Sequence, residues 1–349
     1  MDNTKKIFRE VNAEAMLTAD EDLRRYLTGF PSSFGYVYTD AGESVFFTDP
    51  RYAEAAKQAL AGTFTAVEIA RSEDAVLEYV KEKGIRSLAV PFERVNLPLY
   101  EKLHKQRWKL TDSMPAFTAA MAHKDGHELA CIREACRIAE EAFALLLPEL
   151  KEGMTELEAA GLLEYLMLRG GAKDRSFKTI AAFGRNTSVP HHAAGTAKLQ
   201  NGMPVLLDFG CKYGGYCSDM TRTFCFGKPD AEFKQAYMAV LEAHMAAAKG
   251  IRAGQTGKQA DALARDVLAG YGCDNFFTHS LGHGIGINIH EYPTLGPRSE
   301  HILEENMVFS IEPGVYFEGK FGIRIEDSAC MAGGRAESFM RSAKELIVL

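Results

Sequence analysis

Val205-Leu206-Leu207-Asp208-Phe209-Gly210 and Val308-Phe309-Ser310-Ile311-Glu312-Pro313-Gly314 are two apolar, strand-like runs that each arrive at a carboxylate, 104 positions apart. Working outward from this pair, the chain nearly repeats itself. Asp219 is answered 107 positions later by Glu326, and His191 by His290 after 99. Upstream, Ala142 and Ala243 stand 101 apart, as do Thr155 and Thr256. Ala142 closes Ile138-Ala139-Glu140-Glu141-Ala142, and Ala243 closes Val240-Leu241-Glu242-Ala243. Each threonine follows a Gly-x pair and precedes a helical stretch, as an N-cap does. The first stretch ends at Gly170-Gly171 and the second at Gly270-Tyr271-Gly272. A period of this length is an internal duplication. It predicts two half-domains about a pseudo-two-fold axis, which would bring the matched polar residues to one place.

Four acids on four matched strands are then expected to converge. One carboxylate closing a strand is usually a turn residue. Four buried together repel, and leaving such charges unpaired costs several kcal/mol apiece. Nearby basic residues are few, mainly Arg324 with Arg222 in reserve, so divalent cations are the natural partners. His283, in Leu281-Gly282-His283-Gly284-Ile285-Gly286, supplies a nitrogen ligand whose glycine neighbours let the backbone approach closely. Four carboxylates and an imidazole suit two ions sharing carboxylates, with Mn²⁺, Co²⁺, Fe²⁺ or Zn²⁺ fitting the donor set. Three look-alikes fail. His279-x-x-x-His283 has glycines where a zinc-binding helix would run and no Glu after His279. Asp208-Phe209-Gly210 lacks the other kinase elements. The Gly-His-Gly-Ile-Gly spacing is wrong for a dinucleotide fingerprint.

The 349 residues are 46% hydrophobic and 25% charged, a globular balance with room for two domains. A net charge of −7 argues against nucleic-acid binding. No apolar run approaches the ~20 residues that cross a bilayer, and Met1 to Lys6 lead into no export signal, so a cytoplasmic protein is expected. Seven scattered cysteines without a Cys-x-x-Cys pair read as reduced thiols. Before the duplication the chain alternates short strands and helices. A hairpin joins Tyr36-Val37-Tyr38 to Ser44-Val45-Phe46-Phe47, helices cover 51–60 and 72–83, and strands cover 64–69 and 87–91. This small α/β layer carries no cluster of catalytic residue types. Its boundary falls within 117–125, giving domains 1–118 and 119–349, the second opening on a helix from Asp125 to about Leu150.

The five ligand candidates also stand in family contexts: Leu207-Asp208-Phe209-Gly210, Ser218-Asp219-Met220-Thr221-Arg222-Thr223, Gly282-His283-Gly284-Ile285-Gly286, Ile311-Glu312-Pro313-Gly314 and Gly322-Ile323-Arg324-Ile325-Glu326-Asp327. In these the chain resembles the metallopeptidases of the pita-bread fold, among them aminopeptidase P, prolidase and methionine aminopeptidase. Tyr26-Leu27-Thr28-Gly29-Phe30, Thr48-Asp49-Pro50-Arg51-Tyr52 and the ending Lys344-Glu345-Leu346-Ile347-Val348-Leu349 extend the resemblance to the Xaa-Pro branch over almost the whole length. Metal-free creatinase shares the plan without all five ligands. The resemblance implies an α+β protein, a pita-bread catalytic domain behind a creatinase-like N-terminal domain.

By the same resemblance Asp208 chelates one of two divalent ions, manganese ahead of cobalt, zinc or iron. His283 and Glu312 chelate the other, and Asp219 and Glu326 bridge. His191 and His290 contact substrate and move protons, His279 lies on the substrate side, and Glu312 doubles as a proton relay. Arg324, two residues before Glu326 and expected on the same strand face, pairs with a ligand carboxylate at the substrate site; the roles of His192 and Arg298 stay open. The implied substrate is a short proline-containing peptide, cut between its first residue and the proline, and the implied assembly is a homodimer. Some prolidases carry an arginine shortly after the second histidine for a dipeptide's carboxylate. Here His290-Glu291-Tyr292-Pro293-Thr294 has Thr294 there, which places aminopeptidase P ahead of the dipeptidase alternative. A lyase or a binding protein on the same scaffold is the remaining alternative, since fold alone does not fix the reaction.

Overall fold

The computed structural model of the chain describes residues 3–349. It divides into two compact units, one ending at Met121 and the other spanning Ala122–Leu349. The first unit is built on a six-stranded sheet in the order Ala66–Ile69, Ser44–Thr48, Tyr36–Asp40, Ala15–Thr18, Ser87–Val90, Lys109–Asp112. The expected hairpin is present, pairing Tyr36 with Phe47. Its turn closes because Asp40 Oδ1 accepts from the Gly42 and Glu43 amides at 2.8 and 2.9 Å. Helices Ala53–Ala59 and Glu73–Glu82 match two further expectations, the latter capped by Ser72. Central strand Ala15–Thr18 carries no sequence signal of its own. Four residues are too few for a period, and it is defined by its partners on both sides.

In the second unit the sequence repeat becomes a spatial one. Helix α1 (Gly126–Leu146) starts at a capping box on Asp125 and stops before Pro148, where Leu147–Glu149 tightens into a 3₁₀ turn, short of the expected Leu150. Helix α2 (Glu156–Arg169) follows, then β1 (Ile180–Phe183), β2 (Met203–Phe209) and β3 (Met220–Phe226). The second half answers with α3 (Ala231–Gly250), α4 (Gly257–Gly270), β4 (Gly282–Gly284), β5 (Glu291–Leu295), β6 (Val308–Ile311), β7 (Gly314–Phe317), β8 (Phe321–Arg324), β9 (Glu326–Ala332) and β10 (Arg335–Ser338). Thr155 and Thr256 both cap their helices, each in a box with the residue three later, Glu158 or Gln259. The backbone repeats too. Gly153 N donates to Leu199 O and Gly254 N to Leu303 O, both at 2.8 Å.

The main sheet of eight strands runs β5-β4-β6-β9-β3-β2-β1, with β10 also on β9. The matched strands β3 and β9 are therefore the central antiparallel pair, with β2 and β6 outside them and β1 and β4 beyond. This is the pita-bread arrangement, in an α+β chain. Strand alternation then sorts the faces. Phe209 stacks on Phe143 of α1, and Phe309 and Ile311 join the core of α3 and α4. Asp208 and Ser310, one residue out of phase, must face the other way. The expectation of four acids on strands needs correction: Asp219 immediately precedes β3 and Glu312 immediately follows β6. At a strand end the backbone leaves the ladder, so these two side chains can turn inward more freely than ladder residues.

Candidate active site

A cavity of about 570 Å³ on the acid-bearing face is lined by His191, Asp208, Asp219, His279, His283, His290, Glu312, Arg324 and Glu326. These residues lie up to 135 positions apart in sequence, and the duplication gathers them. Across the three central strands Asp208 and Glu326 both stand opposite Thr221. Thr221 Oγ1 donates to Glu326 Oε2 at 2.5 Å and accepts from Arg324 Nε at 3.0 Å. Arg324 also donates to Asp208 Oδ2 at 2.5 Å and to the Tyr316 hydroxyl at 2.6 Å. It is buried, and it does not share a strand with Glu326 as expected: β8 ends at Arg324, Ile325 intervenes, and β9 begins at Glu326. Arg222, the reserve cation, is spent elsewhere, on Asp327 at 2.9 Å and the Glu326 carbonyl at 2.6 Å.

The hydrogen bonds fix two histidine tautomers. Tyr316, accepting from Arg324, donates to His279 Nε2 at 2.9 Å, while His279 Nδ1 donates to Ser280 O at 2.8 Å. His279 is thus neutral. Burial, with Arg324 beside it, pushes its pKa down to about 3. His283 donates from Nδ1 to Gly284 O at 3.1 Å, which leaves the Nε2 lone pair facing the acids. That nitrogen lies 3.6 Å from Asp219 Oδ2 and 3.3 Å from Glu312 Oε1. Donor atoms of Asp219, His283 and Glu326 fall within 4.8 Å of one another. The glycines around His283 serve close approach. A Cβ at Gly282 would sit 2.0 Å from Ser310 O, and one at Gly284 2.3 Å from Tyr292 O.

The acids are under strain as anions. Burial, then repulsion from Glu326, Asp208 and Glu312, drives the Asp219 carboxyl far above its ordinary range. Glu326 is raised likewise by burial and its acidic neighbours, and Glu312 is pushed up to about 7, again chiefly by burial. Asp208 Oδ1 and Asp219 Oδ1 are buried with no hydrogen-bond partner among the described residues. Two orphaned acceptors in a crowd of acids, with the His283 nitrogen directed at Asp219 Oδ2 and Glu312 Oε1, fit divalent cations in chemistry and placement.

His290 packs edge-on to His283 with ring centres 4.3 Å apart. His192 turns to Glu156, with Nε2 2.8 Å from Oε2. A second cavity of about 690 Å³ shares His279, Ser280 and Thr294 with the first and contains Arg298. Sequence reasoning missed Tyr316, Thr221 and Ser310, whose hydroxyls orient Arg324, Glu326 and Glu312. Hydroxyl residues are too common for any one of them to stand out. The out-of-phase polar residue within an apolar strand was the available signal, and Ser310 in Val308–Ile311 carries it, whereas Thr221 stands among Arg222 and Thr223.

Comparison with known proteins agrees with this arrangement. The pattern of metallopeptidase family M24 matches residues 130–331, and that of the creatinase/prolidase N-terminal domain matches residues 1–120. An Xaa-Pro dipeptidase of Pyrococcus horikoshii is 33% identical over 99% of both chains. Among solved structures, an Xaa-Pro dipeptidase from Bacillus anthracis superposes with a TM-score of 0.95 at 35% identity, covering 100% of this chain and 99% of that one. An X-Pro aminopeptidase from Thermotoga maritima gives 0.91 at 34% identity, covering 98% and 99%. With the duplicated fold, the gathered acids and full-length relatives in agreement, the chain belongs to metallopeptidase family M24 and is a peptidase.

Proposed function

We propose that this peptidase is an Xaa-Pro dipeptidase, hydrolysing the bond between the first residue and proline in a dipeptide. The observation that carries the metal-dependent reading is the pair of orphaned oxygens on Asp208 and Asp219, in a cavity that His283 also lines with its Nε2 3.6 Å from Asp219 Oδ2. The dipeptidase assignment draws on the full-length relatives bearing that name, and it reverses the order that Thr294 suggested. The aminopeptidase P type keeps Thr294 and the Thermotoga maritima relative in its favour. A lyase or binding role is set aside by the family assignment.

Asp208, Asp219, His283, Glu312 and Glu326 would hold two divalent ions, manganese foremost, with Asp219 and Glu326 shared. Such ions supply polarisation of a water and of the peptide carbonyl at neutral pH. Arg324 fixes Asp208 and, through Thr221, Glu326. Glu312, a half-buried residue lining the cavity, takes the attacking water's proton and returns it to the leaving prolyl nitrogen. His191 and His290 hold the peptide and steady charge developing on its carbonyl oxygen. His279, locked neutral by Tyr316, presents a rigid wall.

Offering metal-loaded protein Ala-Pro, Ala-Pro-Ala and Ala-Ala-Ala separates the readings. Cleavage of Ala-Pro alone is expected; cleavage of the tripeptide before proline would give the aminopeptidase reading, and neither product would remove both. A dipeptide's carboxylate needs a cation near the cavity; Lys178 lines it and Arg298 lines the adjoining second cavity, both exposed and without an ion pair among the described residues. Arg298→Ala should raise KM for Ala-Pro about 10- to 100-fold, the value of one charged hydrogen bond, and leave KM for its amide unchanged. If Lys178→Ala shows that pattern instead, the anchor is Lys178.

Metal-free protein should lose stability as pH rises from 7 to 8.5. Folded-state carboxyl pKa values raised above the unfolded ones contribute stability at low pH that disappears as pH climbs through them. A fall of several degrees in Tm is expected, reversed by saturating Mn²⁺; a Tm that rises over this window would contradict the acid cluster. A homodimer in the cytoplasm belongs to the same proposal, and light scattering that finds only a 38.4 kDa species would remove the dimer.

A further inference from the structure

We propose that Glu156 and Lys124, both outside the reaction cavity, are positioning residues that set His191 and His290 by gripping the residue that follows each. His191 and His290 are matched across the duplication, and so are their successors His192 and Glu291, again 99 positions apart. Each successor is tied to a buried group of complementary chemistry, Glu156 at the start of α2 and Lys124 in the link just before α1. His192 Nε2 meets Glu156 Oε2 at 2.8 Å, where the Glu156 side chain is 1% exposed. Glu291 Oε2 meets Lys124 Nζ at 3.2 Å, where the Lys124 side chain is also 1% exposed. The partners are unrelated in sequence and opposite in charge, yet they serve the same step of the repeat.

Each grip extends along the histidine's own segment. Glu156 Oε1 accepts from Phe183 N at 2.9 Å and Asn186 Nδ2 at 2.8 Å, and Oε2 accepts from Gly195 N at 2.9 Å. One carboxylate thus gathers four donors from residues 183–195, from the last residue of β1 through the loop that carries His191. Burial alone would raise its pKa, but these bonds outweigh burial and keep Glu156 ionised. Glu291 Oε1 accepts from Asn288 N at 2.9 Å, closing the short segment 288–291 around His290. Lys124 is itself anchored, its amide donating to Asn306 O at 3.0 Å. Histidines on loops need such ties, because errors of about 1 Å in a reacting group cost on the order of 10²-fold in rate.

This inference rests on the proposal that His191 and His290 face the substrate. The test uses the full metal-loaded chain with Lys124→Met, Lys124→Arg, Glu156→Gln, His192→Leu and His192→Gln, whose amide nitrogen can reach the place of Nε2. Lys124→Met, Glu156→Gln and His192→Leu should each lower kcat/KM for Ala-Pro about 10- to 100-fold with a fall in kcat, and leave Mn²⁺ stoichiometry by calorimetry unchanged. Lys124→Arg and His192→Gln should recover most of the loss. Long-range ¹H–¹⁵N spectra of the imidazoles should show His290 shifted in Lys124→Met and His191 shifted in Glu156→Gln. Should Glu156→Gln fail to fold, the His192 pair carries that half. Wild-type kcat in the disrupting variants, equal losses in conservative and disrupting ones, or unmoved ring resonances would overturn the proposal. If the wild type does not cleave Ala-Pro, the functional reading fails, while the ring spectra still decide the grip.

Discussion

Asp219→Ala and Glu326→Ala are each expected to abolish binding of at least one metal ion and to lower Ala-Pro hydrolysis by roughly 10³-fold or more. The magnitude follows from the several kcal/mol that a cation contributes to a developing oxyanion, at 1.36 kcal/mol for each factor of ten. Both side chains are buried in a ring of acids, and Asp219 has an oxygen without a hydrogen-bond partner among the described residues. Their removal should therefore relieve repulsion in the metal-free protein. The isosteric Asp219→Asn, which leaves no cavity, should hold or raise the metal-free Tm while losing most of the gain that Mn²⁺ gives the wild type. Calorimetric Mn²⁺ titration beside thermal melts reads both. Full metal stoichiometry in the Ala variants would show that the shared ligands are misassigned.

His290→Ala should lower kcat by about 10²- to 10³-fold, the range for one group that steadies charge on the carbonyl oxygen, and leave the metal content intact. The ring stands against His283 but contributes none of the clustered donor atoms. Its pKa is held below the ordinary imidazole value by burial and then by the neighbouring His283 and His191, so it is neutral at pH 7 and can donate or accept one proton. Elemental analysis beside steady-state kinetics distinguishes the roles. Loss of a whole equivalent of metal would make His290 a ligand, and an unchanged kcat would remove it from the chemistry.

Much of this molecule was legible in the linear sequence because duplication writes topology into spacing. Thr155 and Thr256 announced matched capped helices, and both form capping boxes. The hairpin at Asp40 and the glycines around His283 were readable for local reasons, a turn and a close approach. The order of the acids could be read because each stands at a matched step of one repeated pattern.

What the sequence could not carry is everything settled by non-local contact. Strand Ala15–Thr18 exists through its neighbours on two sides, since four residues hold no period. Arg324 and Glu326 looked like one strand face, but Ile325 separates two strands, and Arg324 is fixed by Asp208 more than 100 positions away. Arg222 resembled a spare cation until Asp327 and a carbonyl claimed it. Tyr316 became part of the site only when the fold set it between Arg324 and His279. Sequence spacing determines which residues can converge, because it follows the backbone's own period. Which charge answers which is decided in three dimensions, where burial obliges each polar atom to find a partner.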